Sequence, residues 1–382
     1  MISTKLQPPI WISSPGELRS MTDRLSQEHR LAIDTESNSL HAFREQVCLI
    51  QFSIPDVDYL LDPLALPDLS PLSSLFSNPE IEKTFHAAEY DLLCLKRDFN
   101  FSVINMFDTM QAARILGYPA VGLNNLLQEK FDISLDKRFQ KADWAKRPLP
   151  NDQLNYARMD THYLLDLRDL LEIELKNKNL SALADEEFKR ISCGNGQSEQ
   201  GSSTWQRMNG ATRLSPPELA ILKELLEWRF NQAKRMNRPV FKVINDKLLI
   251  AISETKPNRV EDLQIVGLTY RQSYLFGNDL ISAVRRGVKA SPIKRSSTTR
   301  PDQAYLNRLE TLRIWRKNTA QKLGVESDVV LPRPFMQSIA DGNPTDLQSL
   351  SELMPHSPWR LEQYGQAILK CLQGCRTTPS PS

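Results

Sequence analysis

Residues 31–62 read LAIDTESNSLHAFREQVCLIQFSIPDVDYLLD, and the class of the fold follows from them. Three short apolar runs, LAIDTE (31–36), VCLIQFSI (47–54) and DYLLD (58–62), are bounded by polar residues; their length and flanks favour strands over helices. Helical patterns come afterwards. AEYDLLCLKRDF (88–99), DTMQAARILG (108–117, closed by Gly117), GLNNLLQEKF (122–131) and NDQLNYARMDTHYLLDLRDLLEIELKNK (151–178) carry apolar residues at spacings of three and four. Strands first and helices later predict an α/β domain with a mixed sheet covered by helices. The glycine-rich fingerprints of dinucleotide folds and P-loops are absent.

Beyond this domain, two stretches lose apolar periodicity, SCGNGQSEQGSST (192–204) and RGVKASPIKRSSTTRP (286–301). They predict a catalytic-sized domain over 1–191, a linker over 192–207, helical domains over 208–286 and 302–376 separated by a linker at 287–301, and a tail at 377–382. The two helical segments repeat each other at a fixed offset of 87 residues. Leu219 falls on Leu306, Leu222 on Leu309, Trp228 on Trp315, Arg229 on Arg316, Ile252 on Ile339 and Leu263 on Leu350. Such matches at helical spacing mark buried faces, so each copy is a small all-α domain and Trp228 and Trp315 are core anchors.

Charge separates the two halves. Residues 1–200 hold 21 Lys and Arg against 30 Asp and Glu, whereas residues 201–382 hold 27 against 16. An acidic half joined to a basic half suggests metal chemistry at one end and polyanion binding at the other. The five cysteines are scattered without zinc-ligand spacing. No run approaches the roughly 18 apolar residues of a membrane span, and the first residues lack the pattern of an export signal, so a cytoplasmic location is expected.

Chemistry resides in acids. Asp34 and Glu36 stand two apart at the end of an apolar strand, and a period of two turns both carboxylates to one side of the sheet. Asp91 lies near the start of a helical pattern, and Tyr156 and Asp160 sit one helical turn apart in YARMD. Each alone has an ordinary structural explanation. Together, in this order, they resemble the DEDD exonuclease superfamily, in the branch whose last motif carries tyrosine; Asn155 occupies the place where the other branch has histidine. The segment GLNNLLQEKFDISLDKRFQKADWAKRPLPNDQLNYARMDTHYLLDL (122–167) is similar throughout to the ribonuclease D family, although Ala142 stands where the family usually has serine before Asp143 and Trp144. The two C-terminal segments resemble HRDC domains.

The resemblance implies an RNase H-like mixed sheet flanked by helices, two HRDC domains, and 3′ to 5′ exoribonuclease activity releasing nucleoside 5′-monophosphates. It implies that Asp34, Glu36, Asp91 and Asp160 hold two divalent cations, Mg²⁺ or Mn²⁺, that clamp an in-line displacement. Tyr156 would orient the attacking water, being too weak a base to do more. The implied partner is RNA with a free 3′ end, transfer RNA precursors and other small stable RNAs first; a monomer and no other cofactor are expected. Thr35, Asn38 and His86 adjoin the acids as candidates to touch the terminal nucleotide, with Lys137 and Arg147 as candidate phosphate contacts. Lys234, Arg235 and Arg238 are the expected RNA grip in the first helical copy. A single-stranded DNA exonuclease and a catalytically silent RNA-binding scaffold are the competing readings.

Overall fold

The computed structural model describes residues 7–194, 204–294 and 302–376. Residues 195–203 of the first linker, 295–301 of the second and the tail at 377–382 lie outside the described residues.

Six strands, β1 (Ile10–Ile12), β2 (Arg30–Ser37), β3 (Val47–Ile54), β4 (Val57–Leu61), β5 (Glu82–Phe85) and β6 (Met106–Asp108), lie in the order β1-β4-β3-β2-β5-β6. β2 runs antiparallel to β3 and parallel to β5, so the sheet is mixed, as the order of strands and helices predicts. β3 is buried at every position, which fits its mostly apolar run, interrupted by Gln51 and Ser53. β2 is fully buried from Leu31 to Ile33 and half-buried from Asp34 onward, so the acids begin where the apolar core stops. β1 and β6 have three residues each, too few for any periodicity to reveal.

The helices of this segment are α1 (Pro15–Leu25), α2 (Pro71–Ser77), α3 (Glu89–Phe99), α4 (Thr109–Leu116), α5 (Leu123–Phe131), α6 (Asn151–His162), α7 (Leu164–Asn177) and α8 (Ser181–Gly194). Residues 151–178, expected as one helix, form two, with the break at Tyr163 (φ −100°, ψ 6°). The cause is divided loyalty. Arg158 and His162 tie α6 to Asp58 of β4 at 2.5 and 2.9 Å, while α7 buries Leu164, Leu167, Leu171 and Leu175 in the main core. One straight helix cannot do both.

The first helical copy comprises α9 (Pro216–Met236), α10 (Val240–Val243), α11 (Asp246–Thr255), α12 (Val260–Val266) and α13 (Tyr270–Lys289). It has its own core around Leu222, Leu225, Trp228 and Leu280, and residues 38–46 group with it, Phe43 lying edge-on to Phe230 at 5.0 Å. α13 continues three residues past the start of the stretch read as a linker. Gly287, which signals a linker in the sequence, belongs to a helix crossing: a Cβ there would stand 2.4 Å from the Ile221 Cα.

The second copy comprises α14 (Gln303–Leu323), α15 (Ser327–Val330), α16 (Arg333–Gly342), α17 (Leu347–Glu352) and α18 (Pro358–Arg376). Its last helix departs from the offset of 87. Thr269 before α13 corresponds to Ser357 before α18, and Gly277 to Gly365, so one residue has been added in the loop ahead of α18. This copy packs as one unit with the sheet domain. Val329 enters the sheet domain's core, and the fully buried Arg360 donates to Glu186 (2.6 Å) and Glu187 (2.8 Å) of α8. The Trp359 and Arg360 backbone N–H groups also donate to Glu186, and Arg360 Nε and Nη2 donate to the Val329 carbonyl. Arg114 of α4 reaches Glu326 and Asp328 at 2.6 and 2.5 Å.

Candidate active site

Strand periodicity places the Asp34 and Glu36 side chains on one face of β2, and α6, packed across β2, β3 and β4, brings Asp160 onto the same face. Oxygens of Asp34, Glu36 and Asp160 all lie within 4.8 Å of one another, the one group of this kind among the described residues. Asp91 stands beside the trio in the first turn of α3, where its Oδ1 accepts a hydrogen bond from the Thr35 hydroxyl. Thr35 therefore links the strand motif to the helix acid.

The turn that delivers Asp91 is built by Asp108. Its carboxylate accepts from the N–H groups of Ala87 and Ala88 and, as N-cap of α4, from Met110 and Gln111. Ala87 is thereby held in the left-handed region (φ 65°), a conformation that a residue with a Cβ adopts only when its surroundings impose it.

Burial and mutual repulsion dominate the electrostatics. Desolvation, then the charges of Asp91, Asp160 and Glu36, push the Asp34 carboxyl well above its usual range. Glu36 is raised in the same way, and Asp91 and Asp160 are pushed up to about 7, burial being the largest cause for each. Four crowded carboxyl groups whose negative charge is disfavoured are suited to a cation, and oxygen donors without His or Cys suit Mg²⁺ or Mn²⁺.

Tyr156 sits one turn before Asp160, walled by Phe139 edge-on at 5.7 Å and by Trp144 at 6.0 Å. Trp144 is fully buried in a small second core with Cys48, Leu49 and Leu60, so the Asp143-Trp144 loop holds the ring of Tyr156 against the face of β3 and β4 that α6 covers. Burial, followed by the charges of Asp160, Glu36 and Asp34, raises its phenol pKa, which keeps the hydroxyl a donor. A cleft of about 270 Å³, lined by Leu135, Asp136, Arg138, Asn155, Tyr156 and Asp160, opens beside it.

The remaining candidates divide. His86 Nδ1 lies 2.9 Å from the Thr109 hydroxyl, which itself donates to the Phe85 carbonyl; the hydroxyl therefore accepts from Nδ1–H, leaving Nε2 as an acceptor. Burial lowers the His86 pKa to about 4, so the ring is neutral at pH 7. Asn38 is buried and accepts from the Gln46 N–H within its own loop. Arg147 is occupied internally, paired with Asp62 at 2.6 Å and donating to the carbonyls of Cys48, Trp144 and Lys146. Lys137 is exposed on the loop after α5. Sequence reasoning missed Gln51, which is fully buried opposite Asp34 on β3 and turns its amide toward the Asp34 carboxylate at 3.4 Å. A long polar side chain inside a mostly apolar strand was its only signal.

The 3′–5′ exonuclease domain model matches residues 9–176, and the HRDC domain model matches residues 218–284 and 306–372. Ribonuclease D of Nitrobacter hamburgensis is 28% identical over 370 residues, 95% of this chain and 95% of that protein. The chain therefore carries a 3′–5′ exonuclease domain followed by two HRDC domains, and it is similar to ribonuclease D over most of its length. The exonuclease domain and these relatives make the chain a hydrolase of the exoribonuclease type. The eukaryotic relatives are longer. Exosome complex exonuclease RRP6 of Saccharomyces cerevisiae is 31% identical over 333 residues, which is 80% of this chain but 45% of that protein, and the chain spans 35% of Protein RRP6-like 3 of Arabidopsis thaliana. Escherichia coli RNase D shares the fold, with a TM-score of 0.71 and 22% identity over 96% of this chain and 99% of that one.

Proposed function

We propose that this ribonuclease D-type chain removes nucleoside 5′-monophosphates singly from the 3′ ends of RNA, with transfer RNA precursors and other small stable RNAs as its substrates. The reading rests on one observation, the convergence of Asp34, Glu36 and Asp160 within 4.8 Å, with Asp91 beside them. These four carboxylates would hold two divalent cations. Bound there, the ions would supply Lewis acidity, making a water nucleophilic at neutral pH and neutralising the leaving 3′ oxygen.

The chain's own residues do the rest. The Tyr156 hydroxyl, kept protonated, donates to the attacking oxygen and fixes its direction, while Phe139 and Trp144 deny the ring other rotamers. The neutral His86 offers its Nε2 lone pair as an acceptor for a sugar hydroxyl. The reaction is assigned to a monomer in the cytoplasm; among the described residues no helix is long and apolar enough to cross a membrane.

The test is mononucleotide release from 3′-labelled single-stranded RNA by the wild type and by Asp34→Ala, with and without EDTA, beside a matched DNA strand. Release by the wild type alone, abolished by EDTA and faster on RNA, is expected. Equal behaviour of the two proteins would return the scaffold reading, and faster release from DNA the deoxyribonuclease reading.

A further inference from the structure

The structure points to a second RNA-contacting surface outside the catalytic centre: we propose that Tyr270 and Tyr274, at the start of α13, form a base-stacking platform for single-stranded RNA. The inference rests on the exoribonuclease reading only in taking RNA as the ligand.

Both rings are conspicuously bare. Tyr270 is 77% exposed and Tyr274 80%, and they stand one helical turn apart on the same face of α13. Ile265, just before the helix, is 85% exposed. A small domain with a complete core of its own has no folding reason to leave two aromatic rings in water. Every nucleobase has a π-face, so paired exposed rings suit a single strand irrespective of its sequence.

Charge identifies the occupant. Arg271 lies exposed between the two tyrosines, and α13 runs antiparallel to α9, as Arg286 against Glu224 and Phe276 against Trp228 show. The first turn of α13 and the last turn of α9, which carries Lys234 and Arg235, are therefore at the same end of the domain. Residues 208–286 hold 13 Lys and Arg against 8 Asp and Glu. Aromatic rings interleaved with cations fit a polyanion with stackable bases better than they fit an acid-free apolar peptide.

The second copy shows what this end of the domain is for when it has a partner. Tyr270 and Tyr274 correspond there to Pro358 and Glu362, and the residues between them include Trp359 and Arg360, which dock onto Glu186 and Glu187. The same turn of the same domain is thus occupied in one copy and, with different residues, exposed in the other.

The experiment measures binding of a 5′-fluorescein oligouridylate to the full chain in EDTA by anisotropy, across a salt series. Tyr270→Ala/Tyr274→Ala should raise Kd by about 10-fold or more without changing the slope of log Kd against log salt, because stacking releases no counterions. Tyr270→Phe/Tyr274→Phe, which keeps both rings, should remain within about 2-fold of the wild type. Metal-dependent release from a dinucleotide should be unaffected by either double variant; if the wild type itself releases nothing, the exoribonuclease reading fails and the stacking result stands separately. An unchanged Kd in the alanine variant overturns the platform. So does sedimentation showing that the wild type self-associates and the alanine variant does not, since the rings would then be covered by a second copy of the chain.

Discussion

The two helical copies have one interior and two exteriors. Inside, Trp228 meets Phe276 edge-on at 5.6 Å and Trp315 meets Tyr364 at 5.8 Å, while Arg229 and Arg316 donate to the carbonyls of Ile244 and Leu331 at equivalent places. Beyond the shared interior, residues 208–286 carry 13 basic residues against 8 acidic, but residues 302–376 carry 9 against 8. Of the basic excess of the C-terminal half, about half is in the first copy, most of the rest is in the linkers on either side of it, and a single charge is in the second copy. The second copy spends its arginine inward, on a buried ion pair that makes it part of the sheet domain. A repeated fold has been kept while its surface was divided between a polyelectrolyte face and a clamp.

The largest expected effect is on the clamp. Arg360 is fully buried with Glu186 and Glu187, so Arg360→Ala leaves two carboxylates without their guanidinium and should lower stability by about 3–5 kcal/mol in urea unfolding. Replacing all three, as Arg360→Met/Glu186→Gln/Glu187→Gln, should recover a large part of that loss. At the corresponding place in the first copy, Gln272→Ala removes only a capping-box partner and should cost about 1 kcal/mol or less. Equal losses at the two positions would mean that the copies do not differ in the way their contacts imply.

A second test uses the acid cluster. Asp91 and Asp160 are raised to about 7 in the folded chain, so the metal-free native state binds more protons than the unfolded state between the ordinary carboxylate range and that value. Stability contributed by these groups is therefore present at low pH and is lost as pH rises from about 4 to about 7. Mg²⁺ at pH 8 should restore it. Because the second copy is clamped to the sheet domain, hydrogen exchange should slow on adding Mg²⁺ in α16–α18 as well as in β2, with α9–α13 unchanged. Slowing confined to β2 would show that the clamp does not make a single cooperative unit.

How far these differences could be read from the sequence depends on the range of the interaction. Asp34 and Glu36 announce themselves because strand period two is local, and Tyr156 with Asp160 because one helical turn is local. The mixed sheet followed by two helical domains was legible for the same reason. Arg360 was not legible: its partners lie 174 and 173 residues away, and nothing beside it distinguishes it from a surface arginine. Gly287 misled because a glycine at a close helix crossing and a glycine in a linker look alike in one dimension. Tyr163 breaks a helix whose apolar spacing is continuous, since the break is imposed by two different packing partners. Gln51 was passed over as a strand residue, and Arg147, a candidate phosphate contact, is instead engaged by Asp62 from another part of the chain.

The smallest effect is the most direct measure of the surfaces. Each cation that neutralises a phosphate on single-stranded RNA adds about 0.7 to the dependence of log Kd on log salt. Lys234 and Arg235 close α9 and Arg238 follows it, so the triple change Lys234→Gln/Arg235→Gln/Arg238→Gln should reduce that slope by about 2 if all three touch the backbone. The positions equivalent to them in the second copy are Gln321, Lys322 and Val325, which leaves a single cation to remove. Lys322→Gln should alter the slope by less than about 0.7, and by nothing at all if the second copy serves only as a clamp. Comparable reductions from the two variants would mean that net charge does not report which copy meets RNA, and that the acidic residues of the second copy are directed away from a shared track.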